Sequence, residues 1–198
     1  MRALVTGFEP FGGAGANASH AAVSRLPARI GALDVVTALL PTSYARSGSA
    51  LRREVERVRP ALVLCVGEAG ERRELNIERV ALNVQDARVA DNDGARPVDL
   101  PVVSGAPAAY FATLPVRAIH DALIAASLPA TLSNSAGTFV CNHVFYTLLH
   151  FAATARADLH AGFLHVPAWR ADGAAPTMTL DDIVRGITIA LAASAAAR

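Results

Sequence analysis

The chain has 198 residues, of which 53% are hydrophobic, and this predicts one domain over residues 1–198 with a sizeable buried core. The formal net charge of +1 offers no electrostatic attraction for nucleic acid or an anionic membrane, so neither is predicted as a partner. All 18 basic residues are arginines, which excludes lysine-based mechanisms such as Schiff-base formation.

The sequence also predicts a cellular setting. The apolar run in MRALVTGFEPFGG is too short for a signal peptide, and no run reaches the ~18 to 20 residues of a membrane-spanning helix. Cys65 and Cys141 are too few for a disulfide framework and lack the spacing of metal ligands. We therefore expect a cytoplasmic protein, in which a functional thiol can persist.

Short β-rich runs alternate with longer helical patterns along the chain. The predicted strands are Ala3–Thr6, Asp34–Leu40, Ala61–Gly67, Ile77–Val84, Ala130–Ser133 and Gly162–Val166. The predicted helices are Ala18–Leu26, Ser43–Val58, Pro115–Ser127, Asn142–Ala153 and Leu180–Ala196, and Ala87–Ala109 is predicted as a long loop. Several strands are continuous apolar runs, as is typical of strands buried on both faces. The alternation predicts an α/β fold, a three-layer α/β/α sandwich with a mainly parallel central sheet.

Cys141 is the first candidate for chemistry. It stands in 136-AGTFVCNHVFY-146, where a predicted turn at residues 134–137 precedes a helix start. The positive end of a helix dipole favours a thiolate, and the neighbouring backbone N–H groups can hold an oxyanion. Cysteine is also among the most buried residue types, so a packed core residue is the alternative. Cys65, within the strand ALVLCVG, is predicted to be such a core residue.

A nucleophilic thiol requires a base, and the chain has six histidines. His143 is close in sequence, but two residues along a helix place it roughly 200° around the axis from Cys141. Four others lie in predicted helices or at helix ends: His20, His120, His150 and His160. His165 ends the apolar run AGFLHVP, and the carboxyl ends of strands line the crevice of an α/β fold. His165 is therefore the favoured base, with a hydrogen-bonded core histidine as the alternative.

A carboxylate is needed to orient the imidazole. Glu78 lies in NIERVALN, an alternating strand pattern in which a carboxylate is costly to bury unless it is paired. A surface position on an edge strand is the alternative for Glu78. Glu71 and Glu74 belong to an arginine-containing stretch, residues 71–74, that is typical of a solvated turn.

The loop 7-GFEPFGG-13 follows the first predicted strand. Its glycines and aromatic rings suggest that Phe8 and Phe11 face a flat apolar ligand, and two core-facing phenylalanines around a turn are the alternative. A phosphate loop is disfavoured because the stretch lacks both a Lys-Ser/Thr ending and GxGxxG spacing.

Six motifs in order resemble those of pyroglutamyl peptidase type I, also called pyrrolidone carboxyl peptidase. They are GFEPFGG with Asn17 and Ser19, VGEAG (66–70), ERVALN (78–83), DARVADNDG (86–94), SNSAGTFVCNH (133–143) and FLHVP (163–167). The resemblance runs nearly end to end. It implies a cysteine peptidase that removes N-terminal pyroglutamate from peptides, without a metal or another cofactor, in a homo-oligomer (a tetramer or dimer).

The resemblance also implies a residue assignment. The triad would be Cys141 as nucleophile, His165 as base and Glu78 as the carboxylate that orients the base. The remaining positions would contact substrate: Arg88 near the oxyanion, Phe8 and Phe11 around the lactam ring, Phe139 and Val140 as further pocket wall, Asn17 at the pocket edge, and Glu68.

Glu68 is a departure, because the resembled family usually has glutamine there. It is the one feature that favours a rival interpretation, a non-catalytic binder of pyroglutamyl-capped peptide ends. A second rival, a nucleoside phosphorylase-like enzyme, would require phosphate-binding clusters on glycine-rich turns and would give Cys141 no role.

Overall fold

The computed structural model describes residues 1–169 and 178–197. Its described strands are β1 (Arg2–Phe8), β2 (Arg29–Ile30), β3 (Leu33–Leu40), β4 (Leu62–Glu68), β5 (Leu75–Glu78), β6 (Val80–Leu82), β7 (Ala109–Phe111), β8 (Ala130–Ser133) and β9 (His160–Val166). Its helices are α1 (Ala18–Val23), α2 (Tyr44–Val58), α3 (Val116–Ala125), α4 (Val140–Ala155) and α5 (Leu180–Ala196). No helix in these two stretches is both long and apolar enough to cross a membrane.

Seven strands form the central sheet, in the order β2-β3-β1-β4-β9-β5-β8. The pairs β1–β3, β1–β4, β4–β9 and β5–β8 are parallel, whereas β2–β3 and β5–β9 are antiparallel. The prediction of a mainly parallel sheet is therefore confirmed. The inner strands β1 and β4 are buried along almost their whole length, which explains their continuous apolar sequences.

Helices cover both faces of the sheet and complete the three predicted layers. α1, α3 and α5 pack together over one face, and α2 packs against α4 over the other. In α2, Leu51, Val55 and Val58 are buried at spacings of four and three, so this helix turns one apolar stripe to the core. Ser43 caps α2, and its side chain accepts a hydrogen bond from the backbone N–H of Arg46.

The predicted strand Ile77–Val84 was wrong in extent. The chain leaves the central sheet after Glu78, and residues 80–82 form β6, which pairs with β7 in a separate two-stranded sheet. The chain changes sheets at Arg79, whose N–H donates to Ser133 O and whose carbonyl accepts from Ala112 N. No glycine or proline separates the two strands, so the sequence alone does not reveal the break. The break places Glu78 at the end of a strand.

Candidate active site

A cavity of about 130 Å³ lies at the carboxyl ends of the neighbouring parallel strands β1, β4 and β9. In an open α/β sheet this edge is where ligands bind. The residues that line the cavity are Phe8, Phe11, Asn17, Thr42, Glu68, Ala136, Phe139, Val140, Cys141 and His165. The structure thus brings together eight of the ten residues that the sequence predicted for the site.

Cys141 is the second residue of α4 and is largely buried at the cavity wall. The helix approaches β4 closely at this point: a Cβ on Gly67 would lie 2.9 Å from Cys141 Sγ and 2.8 Å from Phe163 Cζ. Only a residue without a side chain leaves room for the sulfur at this position. Gly67 was missed as a site residue because the need for it comes from α4, which is distant in sequence.

The environment of the thiol opposes ionisation. Burial raises the pKa of the Cys141 thiol to about 12, and the Glu78 carboxylate adds to this rise, while Arg72 and a backbone hydrogen bond oppose it. The helix N-terminus was expected to favour a thiolate, but desolvation moves the pKa of this thiol in the opposite direction. At neutral pH the sulfur carries its proton and requires a base.

His165 is positioned to be that base. It is the penultimate residue of β9, it is 4% exposed, and its Nδ1 lies 2.8 Å from Oε1 of the fully buried Glu78. A carboxylate oxygen can only accept a hydrogen bond, so in the neutral imidazole Nδ1 carries the proton and Nε2 has the free lone pair. The ring of Phe163 packs 4.8 Å from the imidazole and restricts its rotation. Glu78 is therefore a buried, paired carboxylate.

Arg72 joins this pair and was not predicted. It lies in the loop between β4 and β5, within the stretch that the sequence suggested to be a solvated turn, and its Nη1 donates to Glu78 Oε1 at 2.6 Å. The signal that could have revealed it is the cost of a buried carboxylate, which calls for a nearby cation.

Aromatic rings form much of the cavity wall. The ring centroids of Phe11 and Phe139 lie 5.8 Å apart, and the edge of Tyr44 supports Phe139 at 5.7 Å. Phe8 is 2% exposed and packs against Phe163 at 6.3 Å. This part of the wall is thus apolar, and neighbouring rings hold it in place.

Asn17 and Glu68 line the cavity and also hold the start of α1. Asn17 caps this helix: its Oδ1 accepts from Ser19 N at 2.9 Å, while its Nδ2 donates to Glu9 O at 3.3 Å. The Glu68 carboxylate accepts a hydrogen bond from the backbone N–H of Ala18. Both side chains therefore fix the shape of the cavity from the α1 side.

The structure does not bring Arg88 to the cavity. Its side chain is 87% exposed, and its nearest charged partner is the equally exposed Glu71, at 3.7 Å. A contact with an oxyanion would require the arginine to move.

The other thiol and the neighbouring histidine point elsewhere. His143 faces away from Cys141, as helical geometry predicted: its Nδ1 lies 3.0 Å from Gln85 Oε1, and it lines a separate groove of about 570 Å³ between α2 and α4. Burial lowers its pKa to about 4. Cys65 is fully buried in β4. No group of three or more histidine, cysteine or acidic side chains within residues 1–169 and 178–197 is arranged to hold a metal ion.

Comparison with known proteins identifies the family. A family model described as pyroglutamyl peptidase matches residues 1–197. The chain belongs to the pyroglutamyl peptidase family. This is a family of cysteine-type hydrolases, so the family and the enzyme class that the motifs indicated are confirmed.

Two pyrrolidone-carboxylate peptidases share about half of their residues with this chain. The pyrrolidone-carboxylate peptidase of Gloeobacter violaceus is 50% identical over 197 residues, covering 96% of this chain and 95% of that protein. Pyrrolidone-carboxylate peptidase 1 of Ralstonia nicotianae is 49% identical, covering 95% of this chain and 90% of that protein.

Solved structures of the family share the fold. Pyroglutamyl peptidase I of Bacillus amyloliquefaciens superposes with a TM-score of 0.95 at 38% identity, covering 98% of this chain and 97% of that chain. The pyrrolidone carboxyl peptidase of Thermococcus litoralis gives a TM-score of 0.92, also at 38% identity, covering 98% of this chain and 93% of that chain.

Proposed function

We propose that the chain is a cysteine peptidase that removes pyroglutamate from the N-terminus of peptides, with Cys141, His165 and Glu78 as its triad. One observation carries the proposal. Cys141 and His165 line the same cavity, and His165 is held through Nδ1 by the buried Glu78 carboxylate 2.8 Å away. Membership of the pyroglutamyl peptidase family supports the substrate class.

The cavity suits a small neutral ring. A pyroglutamyl lactam carries no charge, and the lining is dominated by Phe8, Phe11 and Phe139, with a few polar groups at its edge. The cavity is small and lies against the strand ends, so it admits one terminal residue and excludes a continuing chain. This limits cleavage to the first peptide bond.

Attack begins with proton transfer. As Cys141 Sγ forms a bond to the pyroglutamyl carbonyl carbon, His165 Nε2 takes the thiol proton and the carbonyl π electrons move onto oxygen. The raised pKa of the Cys141 thiol means that this transfer accompanies attack rather than preceding it. Glu78 stabilises the imidazolium that forms.

The start of α4 supplies donors for the oxyanion. The N-cap residue of this helix, Phe139, makes no side-chain capping hydrogen bond, so the first-turn N–H groups lack the partner that Ser43 and Thr179 give α2 and α5. The Cys141 N–H would hold the oxyanion. Arg88 would assist after leaving Glu71 and turning towards the cavity when substrate binds.

Two further steps complete the cycle. The intermediate collapses, His165 donates its proton to the leaving amine, the C–N bond breaks and a thioester on Cys141 remains. His165 then takes a proton from a water molecule as the water oxygen attacks the thioester carbonyl carbon. The C–S bond breaks, His165 returns the proton to the Cys141 sulfur, and pyroglutamate leaves.

The proposal includes self-association into a homo-oligomer, a dimer or a tetramer. Three large apolar side chains between residues 98 and 111 are exposed: Val98 at 65%, Leu100 at 53% and Phe111 at 72%. These side chains are the candidates for the contact surface, since exposed apolar patches mark protein–protein contacts.

The rival interpretation as a binder loses its support in the structure. It rested on Glu68, and the Glu68 carboxylate has a structural task because it accepts from the N–H that begins α1. A binder would also have no use for the Glu78–His165 pair.

The test is release of a fluorophore from a pyroglutamyl amide. Wild type should turn over, Cys141→Ala should be inert, and Cys65→Ala, the matched control, should retain activity because Cys65 is fully buried and does not line the cavity. Turnover by folded Cys141→Ala, or none by folded wild type, would contradict the proposal.

A further inference from the structure

Arg72 contacts the carboxylate that holds the candidate base. Its Nη1 donates to Glu78 Oε1 at 2.6 Å, and the same oxygen lies 2.8 Å from His165 Nδ1. Glu78 Oε2 is buried and has no hydrogen-bond partner within the described part of the chain. A single carboxylate oxygen therefore serves both the imidazole and the guanidinium.

The charge of Arg72 matters because Glu78 is fully buried. An ionised carboxylate at such a position is costly unless a cation compensates it. His165 is a cation only while it carries the proton from the thiol, whereas a guanidinium is charged throughout. Arg72 thus provides Glu78 with a counter-charge in those steps in which the imidazole is neutral.

Arg72 also reaches the segment that leads to the nucleophile. Its Nη2 donates to Ser135 O at 3.0 Å, and Nη1 lies 3.5 Å from Ser133 Oγ. Ser133 is the register partner of Glu78 in the β5–β8 pair, and Ser135 belongs to the turn at residues 134–137 that precedes Cys141. One guanidinium therefore ties the orienting carboxylate to the chain that enters α4.

We propose that Arg72 is a positioning residue, which supplies a permanent counter-charge to the buried Glu78 and fixes it against the 134–137 turn so that His165 presents Nε2 to Cys141. The inference rests on the proposed peptidase function. Arg72 does not belong to the residues that line the cavity, so it acts through Glu78 and supports turnover rather than substrate binding.

Three single variants separate these effects. Arg72→Met should lower kcat by about 10²-fold, the order expected when a catalytic group is misplaced by an ångström, and should leave KM nearly unchanged. Arg72→Lys should restore part of kcat, because lysine returns the positive charge but not the planar set of N–H donors of the guanidinium. Arg73→Met, the control at the exposed neighbouring position, should match wild type. Should Arg72→Met melt below the assay temperature, Arg72→Gln takes its place.

The pH profile provides a readout that depends on charge. The charged groups that face Glu78 within residues 1–169 and 178–197 are His165 and Arg72, and the Cys141 thiol feels its field. Arg72→Met removes the permanent positive charge beside the Glu78–His165 pair, so the acid limb of kcat/KM should move to higher pH in this variant. It should remain in place in Arg72→Lys.

A double-mutant cycle with Glu78→Gln completes the test. In that background the carboxylate charge is absent, so adding Arg72→Met should lower kcat little further. If the two residues acted independently, the fold-losses of the two single variants would multiply in the double variant. Multiplying losses, an unshifted acid limb, or wild-type kcat in a folded Arg72→Met would overturn the inference while leaving the peptidase proposal intact. Absence of turnover by wild type would overturn the peptidase proposal itself, and the inference with it.

Discussion

The centre of β4 and the first turn of α4 each hold a cysteine, and burial raises the pKa of both thiols to about 12. The surroundings differ in another respect. Cys65 is enclosed by the core, whereas Cys141 lines the cavity that it shares with His165. In the proposed mechanism, what distinguishes the nucleophile is access to substrate and to an oriented base, and not an acidic thiol.

The largest expected effect comes from removing His165, the proposed base, which lines the cavity together with Cys141 but not with Cys65. His165→Gln should lower kcat/KM by about 10³- to 10⁴-fold, since general acid–base catalysis contributes up to that order and the thiol does not ionise unaided near neutral pH. The measurement is steady-state turnover of a pyroglutamyl amide.

The control for this prediction is His143→Gln. His143 is nearer to Cys141 in sequence but faces the groove between α2 and α4, so its loss should leave turnover close to that of wild type. Equal losses of turnover in His165→Gln and His143→Gln would contradict the assignment of His165 as the base that serves Cys141.

A smaller effect should follow from crowding Cys141 against the strand that contains Cys65. Gly67→Ala places a Cβ within 3 Å of both Cys141 Sγ and Phe163 Cζ, and moving the sulfur should lower kcat by about 10²-fold. The same overpacking should destabilise the fold by about 1–3 kcal/mol. Kinetics and thermal unfolding measure the two parts.

Gly15→Ala is the matched control for the crowding. A Cβ at Gly15 meets no atom within 4 Å, so neither kcat nor the melting temperature should fall. If Gly67→Ala behaved like Gly15→Ala, the close approach of α4 to β4 would have no part in placing the sulfur.

The smallest expected effect is on stability at high pH, and it follows from the raised pKa that the two thiols have in common. Each has a pKa near 12 in the folded protein against an ordinary value of 9.0, so the folded state retains protons that the unfolded state loses. This contribution to stability is fully present below pH 9 and is lost as pH rises from 9 towards 12. The melting temperature should decline over that window, and less steeply in Cys65→Ala. Parallel declines in the two proteins would show that the Cys65 thiol is not the source.

The sequence predicted well those elements that carry a local pattern. The spacing of Leu51, Val55 and Val58 marked α2, and the apolar run of β4 marked a buried strand. It failed where the local sequence gives no signal. β2 and β7 have only two and three residues, and no glycine or proline marks the change from β5 to β6 at Arg79. Short strands and sheet changes are decided by pairing partners far away in the chain.

The site shows the same division. Cys141, His165 and the cavity phenylalanines could be selected from the sequence because their motifs and strand-end positions are local features. The pairing of Arg72 with Glu78, the space left by Gly67 and the raised pKa of the Cys141 thiol arise only when distant segments pack together. The exposed position of Arg88 is likewise a property of a folded loop.

The most direct test of the account is the mass of the intact protein after rapid acid quenching during turnover of a pyroglutamyl amide. We predict a population heavier by one pyroglutamyl group, located on the peptide that contains Cys141, present in Cys65→Ala and absent from Cys141→Ala. A pyroglutamyl adduct on any other residue, or undiminished turnover and adduct in Cys141→Ala, would contradict the assignment of Cys141 as the nucleophile.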